Sequence, residues 1–195
     1  MKKVLLLLAK GFESYEASVF IDVMGWNFDD EDGTTKLVTC GLRKEVEGSW
    51  GIKILTDITV DQVVVSEYDA LAIPGGSNKY GFYEDAYNEM FLDLIRAFHN
   101  EGKIVATICV AALPVGKSGI LNGKNGTTYN MGNGTRQVQL REFGVNVVNK
   151  PIVVEGNIIT SWNPSTAIDV ALKLLELLTS RENADHIRKI MGFTK

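Results

Sequence analysis

Cys109 lies in the run "IVATICVAALPVG", where a β-branched, strand-like segment passes into a helix-like one. A thiol at such a junction sits near the unpaired N–H groups of an entering helix, and those groups favour the thiolate. The same position also suits a small buried hydrophobe, because free cysteine is among the most buried residue types. Cys40, between Thr39 and Gly41 at the end of another strand-like run, has no such context and reads as structural. In "AIPGGSN" an apolar run ends in Pro74, Gly75 and Gly76. A backbone without side chains there can approach a ligand and aim N–H groups at it, or simply make a tight turn. Near the start, "AKGFESYEAS" sets carboxylates at Glu13 and Glu16 directly after the apolar run 4–9. An acidic residue in a first helical turn complements the helix dipole with no further role, so Glu16 by itself stands open between that and chemistry.

Bringing these residues together requires a scaffold that gathers the ends of several strands. Short Val/Ile/Leu runs alternate with segments of helical period, the pattern of βαβ units around a mostly parallel sheet, and the fold class is therefore α/β. Strands are expected at 4–9, 36–39, 70–73, 104–108 and 127–129. An edge or hairpin piece is expected at 51–55, and a hairpin in "IVVEGNIIT" that turns at Gly156 and Asn157. The first helix is expected behind a Ser14 cap, with Val19, Phe20, Val23 and Met24 as its apolar stripe. Further helices are expected with Phe91, Leu92, Ile95 and Phe98 on one face before Gly102, and over 136–143 before Gly144. Two more close the chain, one after Pro164 and Ser165 and one carrying Ala184, Ile187 and Met191. No repeat, low-complexity tract or linker divides the chain, so 1–195 reads as one domain.

At 195 residues and 45% hydrophobic, the chain holds enough apolar material for one sizeable core. A formal charge of −4 and a pI near 5.3 argue against nucleic acid as a partner, since that role needs clustered Lys and Arg. The opening "MKKVLLLLAK" imitates a signal peptide, but its apolar core is short, Lys10 closes it, and no small-residue cleavage site follows. The uncharged stretch 104–115 is too short to cross a bilayer, so no membrane partner is expected. Two cysteines far apart, outside any CxxC pattern, fit a reducing cytosol, and a cytoplasmic location is expected. With His99 and His186 as the only histidines, no metal site is expected, and no cofactor.

Together these segments resemble the ThiJ/PfpI superfamily, which includes the Parkinsonism-associated protein deglycase and intracellular cysteine peptidases. The resemblance covers nearly the whole chain, through "LLAKGFESYEA", "DVMG", "AIPGG", "ATICVA", "TTYN" and "IITSWNPSTAIDVAL". It implies a flavodoxin-like sandwich with a central, mostly parallel sheet and helices on both faces, similar to class I glutamine amidotransferases. It further implies Cys109 at a nucleophile elbow, Glu16 as the carboxyl that faces it, and an oxyanion site formed by Gly75, Gly76 and Val110. A homodimer formed through the first helix and a neighbouring hairpin follows from the same resemblance. Two charges side by side would raise the cysteine pKa, whereas a protonated Glu16 can donate to the sulfur, so the pair is expected to titrate as a unit.

The chain departs from the family pattern at the base. Where the glyoxalase-like branch carries a histidine this chain has Tyr129, and where the peptidase-like branch has one directly after the cysteine it has Val110. A phenol can donate a hydrogen bond or relay a proton, but it is a poor base at neutral pH. Three functions are implied: a thiol enzyme acting on reactive carbonyls, a non-catalytic redox sensor or stress protein with an oxidisable Cys109, and a peptidase or amidase. The last is weakest, because acyl transfer needs a base beside the nucleophile. The expected partner is a small-molecule substrate or oxidant. Alignment with the family also sets Trp26, Trp50 and Trp162 where relatives often carry arginines near the pocket or dimer cleft. Converging indoles would favour an apolar or aromatic ligand over a small anion, unless the three pack at separate places.

Overall fold

Residues 4–8 have no exposed surface, and this makes β1 (Lys2–Leu8) a strand covered on both faces, as a central parallel strand must be. The computed structural model describes residues 1–30 and 34–193. After β1 the chain forms α1 (Ser14–Asp30), β2 (Thr35–Gly41), β3 (Glu45–Glu47), β4 (Lys53–Leu55), β5 (Ile58–Thr59) and β6 (Ala70–Ile73). The middle holds α2 (Phe82–Ala86), α3 (Glu89–Asn100), β7 (Ile104–Thr107), α4 (Ala112–Lys117), β8 (Asn125–Gly126) and α5 (Thr135–Glu142). It ends with β9 (Asn146–Val147), β10 (Ile152–Glu155), β11 (Ile158–Ser161), α6 (Ala167–Leu178) and α7 (Arg181–Ile190).

Seven strands join in the order β10-β11-β7-β6-β1-β2-β5, parallel throughout except for the edge pair β10–β11. From β1 the chain goes to β2 on one side and later returns to β6 on the other. The strand order therefore reverses at β1, and a crevice opens beyond the carboxyl ends of β1 and β6, where sheets of this kind hold ligands. Helices α1, α6 and α7 pack on one another, while α3 lies against β6 and β7 and meets α4, which in turn meets α5. The stripe Phe91, Leu92, Ile95 and Phe98 of α3 is buried, and Asn88 caps that helix by accepting the Met90 N–H at 3.0 Å.

Two local expectations are corrected. The cap of α1 falls on Glu13, whose carbonyl accepts the Ala17 N–H at 3.0 Å, so Ser14 is the first helical residue and not the cap. No strand forms at 127–129; the ladder stops at Gly126, which pairs with Val147. Beyond it, side chains replace ladder bonds: the Thr127 N–H donates to Thr160 Oγ1 at 3.0 Å, and Thr128 Oγ1 donates to the Cys109 carbonyl at 2.9 Å. The piece expected at 51–55 is the second arm of the β3–β4 hairpin. Among the described residues, no helix is long and apolar enough to cross a membrane.

Candidate active site

Three strand ends converge in the crevice. β1 delivers Lys10 to Glu16, β6 delivers Pro74 to Gly76, and β7 delivers Ile108 and Cys109. Cys109 adopts φ 59°, in the left-handed region that side chains avoid. Such a conformation costs on the order of 1–3 kcal/mol and persists only where the surroundings hold it. Here Thr128 Oγ1 holds the Cys109 carbonyl, and the Ile108 N–H donates to the Ile73 carbonyl at 3.3 Å. The strained turn lifts the thiol off the strand and into the crevice, where it is 5% exposed.

Glu16, in the first turn of α1, is fully buried, and its Oε2 accepts the Gly75 N–H at 2.6 Å. Oε1 is buried with no hydrogen-bond partner among the described residues, and the carboxyl as a whole interacts with the Cys109 thiol. The crowding explains the glycines. A Cβ on Gly75 would stand 2.8 Å from Glu16 Oε2 and 3.0 Å from Cys109 Cβ, and one on Gly76 would stand 2.3 Å from the Gly11 carbonyl oxygen. The turn is fastened to the loop after β1 by Glu13 N–H to Gly75 O at 2.8 Å and Ser77 N–H to Gly11 O at 2.9 Å. The β1 loop is fastened in turn by Asp85 of α2, which accepts the Lys10 N–H at 2.7 Å and a bidentate Arg43 guanidinium at 2.7 Å on each arm.

Burial raises the Glu16 carboxyl to about 8, helped by the neighbouring Glu13 charge and opposed by the Gly75 N–H. Burial also pushes the Cys109 thiol well above its ordinary value; the Glu16 charge adds to this, and the Val110 N–H works against it. Both groups are thus protonated at neutral pH, and each controls the other's ionisation. Cys40 is raised to about 12 by burial and then by Asp61, and nothing opposes the shift, so it is an inert thiol. Glu13, half-buried, is raised by burial and interacts with both Glu16 and Cys109.

Of the residues singled out from sequence, Cys109, Glu16, Gly75, Gly76 and Val110 come together. The Gly75 N–H is occupied by Glu16, and the Val110 N–H is directed at the Cys109 sulfur. Tyr129 is half-buried on the core beside Thr128. The tryptophans occupy three places: Trp26 is half-exposed on α1, Trp50 is exposed near the β3–β4 hairpin with its ring 6.2 Å from Tyr80, and Trp162 follows β11 with a buried Nε1. His99 ends α3 beside Lys124 Nζ at 3.3 Å, and His186 contacts Asp30 at 2.7 Å. Both histidines lie toward the opposite end of the sheet, near the start of β7 and the end of α1. Sequence reasoning did not single out Tyr83 on α2, whose Oη is buried without a hydrogen-bond partner among the described residues. No local pattern marks it, because α2 is a single short turn of helix. Among the described residues, no group of three or more His, Cys, Asp or Glu side chains could hold a metal ion.

Sheet order, elbow and glycine turn define a flavodoxin-like α/β protein with a thiol at its switch point. The chain is 31% identical over 198 residues to Protein DJ-1alpha of Drosophila melanogaster, covering 99% of this chain and 85% of that one. It is 30% identical over 162 residues to Deglycase PfpI of Pyrococcus furiosus, covering 83% and 90%. The crystal structure of Drosophila melanogaster DJ-1beta matches with a TM-score of 0.85 at 29% identity, covering 100% of this chain and 99% of that one. The DJ-1/PfpI family model matches residues 2–177, and the chain belongs to that family.

Proposed function

We propose that this protein is a cofactor-independent thiol enzyme of the glyoxalase or deglycase kind, with Cys109 as nucleophile and Glu16 as its acid–base partner. The observation that carries the reading is the buried pair: a carboxyl pinned by one oxygen on the Gly75 N–H, its other oxygen without a hydrogen-bond partner, interacting with the Cys109 thiol. A relative named as a deglycase supports the same class. Sulfur adds to an aldehyde carbon, the S–C bond forms as the S–H bond breaks, and the carbonyl pair moves to an oxygen that rests on the Gly76 and Val110 N–H groups and takes up the thiol's proton. With a vicinal dicarbonyl, Glu16 in its ionised form takes the carbon-bound proton and delivers it to the neighbouring carbon. Water then cleaves the resulting thioester to a 2-hydroxy acid and restores the thiol. The sum is the addition of one water, with no external oxidant or reductant. Tyr129 is assigned the proton-relay position where the family histidine is absent. Incubation of pure protein with methylglyoxal should yield lactate, and Cys109→Ser should abolish it; no lactate from the intact protein overturns the enzyme.

A second reading, a redox sensor, is favoured by the same Glu16, whose protonated oxygen would hold an oxygen of a sulfinate at Cys109. Peroxide should then modify Cys109 before Cys40, as read by peptide mass spectrometry, and equal modification of both would count against it. Both cysteines are free, in keeping with the cytoplasmic setting proposed here. A peptidase is disfavoured by the absence of a histidine at the elbow. We also propose a homodimer through α1, on which Ile21, Trp26 and Phe28 expose apolar surface.

A further inference from the structure

Around the carboxyl ends of β7 and β11, the hydroxyls of Thr107, Thr127, Thr128, Thr160 and Ser161 are all buried. Three of them tie neighbouring segments together: Thr107 Oγ1 donates to the Ile159 carbonyl at 3.0 Å, Ser161 Oγ to the Thr107 carbonyl at 3.5 Å, and Thr160 Oγ1 accepts the Thr127 N–H at 3.0 Å. Thr128 acts on the elbow itself. Its hydroxyl donates to the Cys109 carbonyl at 2.9 Å, and among the described residues no other side chain bonds to the backbone of 108–111. A valine would fill the same volume, so what the hydroxyl adds is this bond and not packing. The bond acts on a rigid unit. The Cys109–Val110 peptide is trans, so its carbonyl and its N–H lie in one plane and point opposite ways. A donor that holds the carbonyl toward Thr128 therefore holds the Val110 N–H away from it, on the side of the sulfur. The φ of 59° at Cys109 is what turns this plane, and it needs a hold of that kind to persist. The Ile108 N–H bond to the Ile73 carbonyl lies on the other side of the Cys109 Cα and does not fix the plane.

We infer that Thr128 is a positioning residue of the reaction: through the Cys109 carbonyl it fixes and polarises the peptide whose N–H, at Val110, serves first the sulfur and then the oxygen of the adduct. The inference rests on the thiol reading proposed above and adds to it the residue that sets one of the two oxyanion donors. Hydrogen bonds in series strengthen one another, by roughly 10–30% per bond. An N–H whose own carbonyl is already bonded is thus a better donor to developing negative charge. The thiolate gains from it before the S–C bond forms, and the carbonyl oxygen gains once that bond has formed. Thr128 gives up no proton in either step and touches no reacting atom, which separates its part from the relay assigned to Tyr129.

Thr128→Val and Thr128→Ala both remove the hydroxyl, Thr128→Ser keeps it, and Thr160→Val removes a buried hydroxyl that does not touch the elbow. For each protein, iodoacetamide alkylation of Cys109 is followed across pH, methylglyoxal turnover to lactate is resolved into kcat and KM, and thermal melting is recorded. Thr128→Val and Thr128→Ala should alkylate about tenfold more slowly at neutral pH, their profiles displaced upward by about one pH unit, and lose about tenfold in kcat with KM little changed. Thr128→Ser should restore most of both. Thr160→Val should melt lower and keep the wild-type profile. Thr128→Val or Thr128→Ala melting lower with a wild-type profile and kcat would overturn the inference and make Thr128 purely structural, while the thiol reading stands. Equal displacement in Thr128→Val and Thr160→Val would overturn it too, because loosening the segment anywhere would then be enough. No lactate from the wild-type protein, with the alkylation profile still displaced in Thr128→Val, would overturn the carbonyl chemistry and support the hold of Thr128 on the thiol.

Discussion

Glu16 links the chemistry of the site to the stability of the protein. An unfolded glutamate ionises near ~4.3, whereas burial holds folded Glu16 neutral up to about 8. Its neutral form therefore supports the fold fully at pH below the unfolded value, and that support is lost as pH rises through the folded one. Glu16→Gln keeps a neutral group whose oxygen can still accept the Gly75 N–H. In thermal melts the variant should match the wild type at about pH 4 and exceed it at about pH 9, by an amount on the order of a few kcal/mol. The same titration governs the thiol. Iodoacetamide alkylation of wild-type Cys109 should fall behind that of Glu16→Gln through a step near pH 8, because the Glu16 charge that forms there raises the thiol's pKa. A ratio of the two rates that stays flat across that range would assign control of the thiol to another group.

At the scale of elements, the site depends on loops pressed together with no room between them. Gly75 has no positive φ, so alanine suits its backbone, but the added Cβ would stand 2.8 Å from Glu16 Oε2. Gly75→Ala should leave the fold cooperative and change the alkylation rate of Cys109 by about tenfold or more, since small misplacements cost reactivity steeply. An unchanged rate would mean that the carboxyl has no part in activating the thiol. Asp85 serves the same assembly from α2, and removing its carboxylate strands a partly buried Lys10 N–H together with the Arg43 guanidinium. Because Arg43 is half-exposed, the loss should stay below that of a fully buried pair. Asp85→Ala is expected to cost about 2 kcal/mol in urea unfolding.

For the whole molecule, the apolar surface on α1 predicts self-association. Trp26→Glu should shift a dimer toward monomer in sedimentation while leaving the circular dichroism of the fold intact; a wild-type protein that sediments as a monomer would rule the interface out. The indoles of one chain share no ring contact among the described residues, so an aromatic pocket made from them would need the second subunit. Saturable quenching by aromatic aldehydes that weakens in Trp162→Arg would support such a pocket.

The buried strands, the α3 stripe, the thiol junction and the glycine turn were legible in the chain, because burial on both faces, helical period and missing side chains are properties of neighbouring residues. Glu16 as partner of Cys109 came from the resemblance, since nothing local tells a carboxyl facing a sulfur from one that complements a helix dipole. Only the tertiary structure decided that the Gly75 N–H belongs to Glu16, and that Thr127 and Thr128 give up a ladder for Thr160 and the Cys109 carbonyl. Those contacts join residues far apart along the chain, such as Glu16 and Gly75, 59 positions apart. They arise where the ends of β1, β6 and β7 are brought side by side, and that arrangement leaves no periodic trace in any one segment.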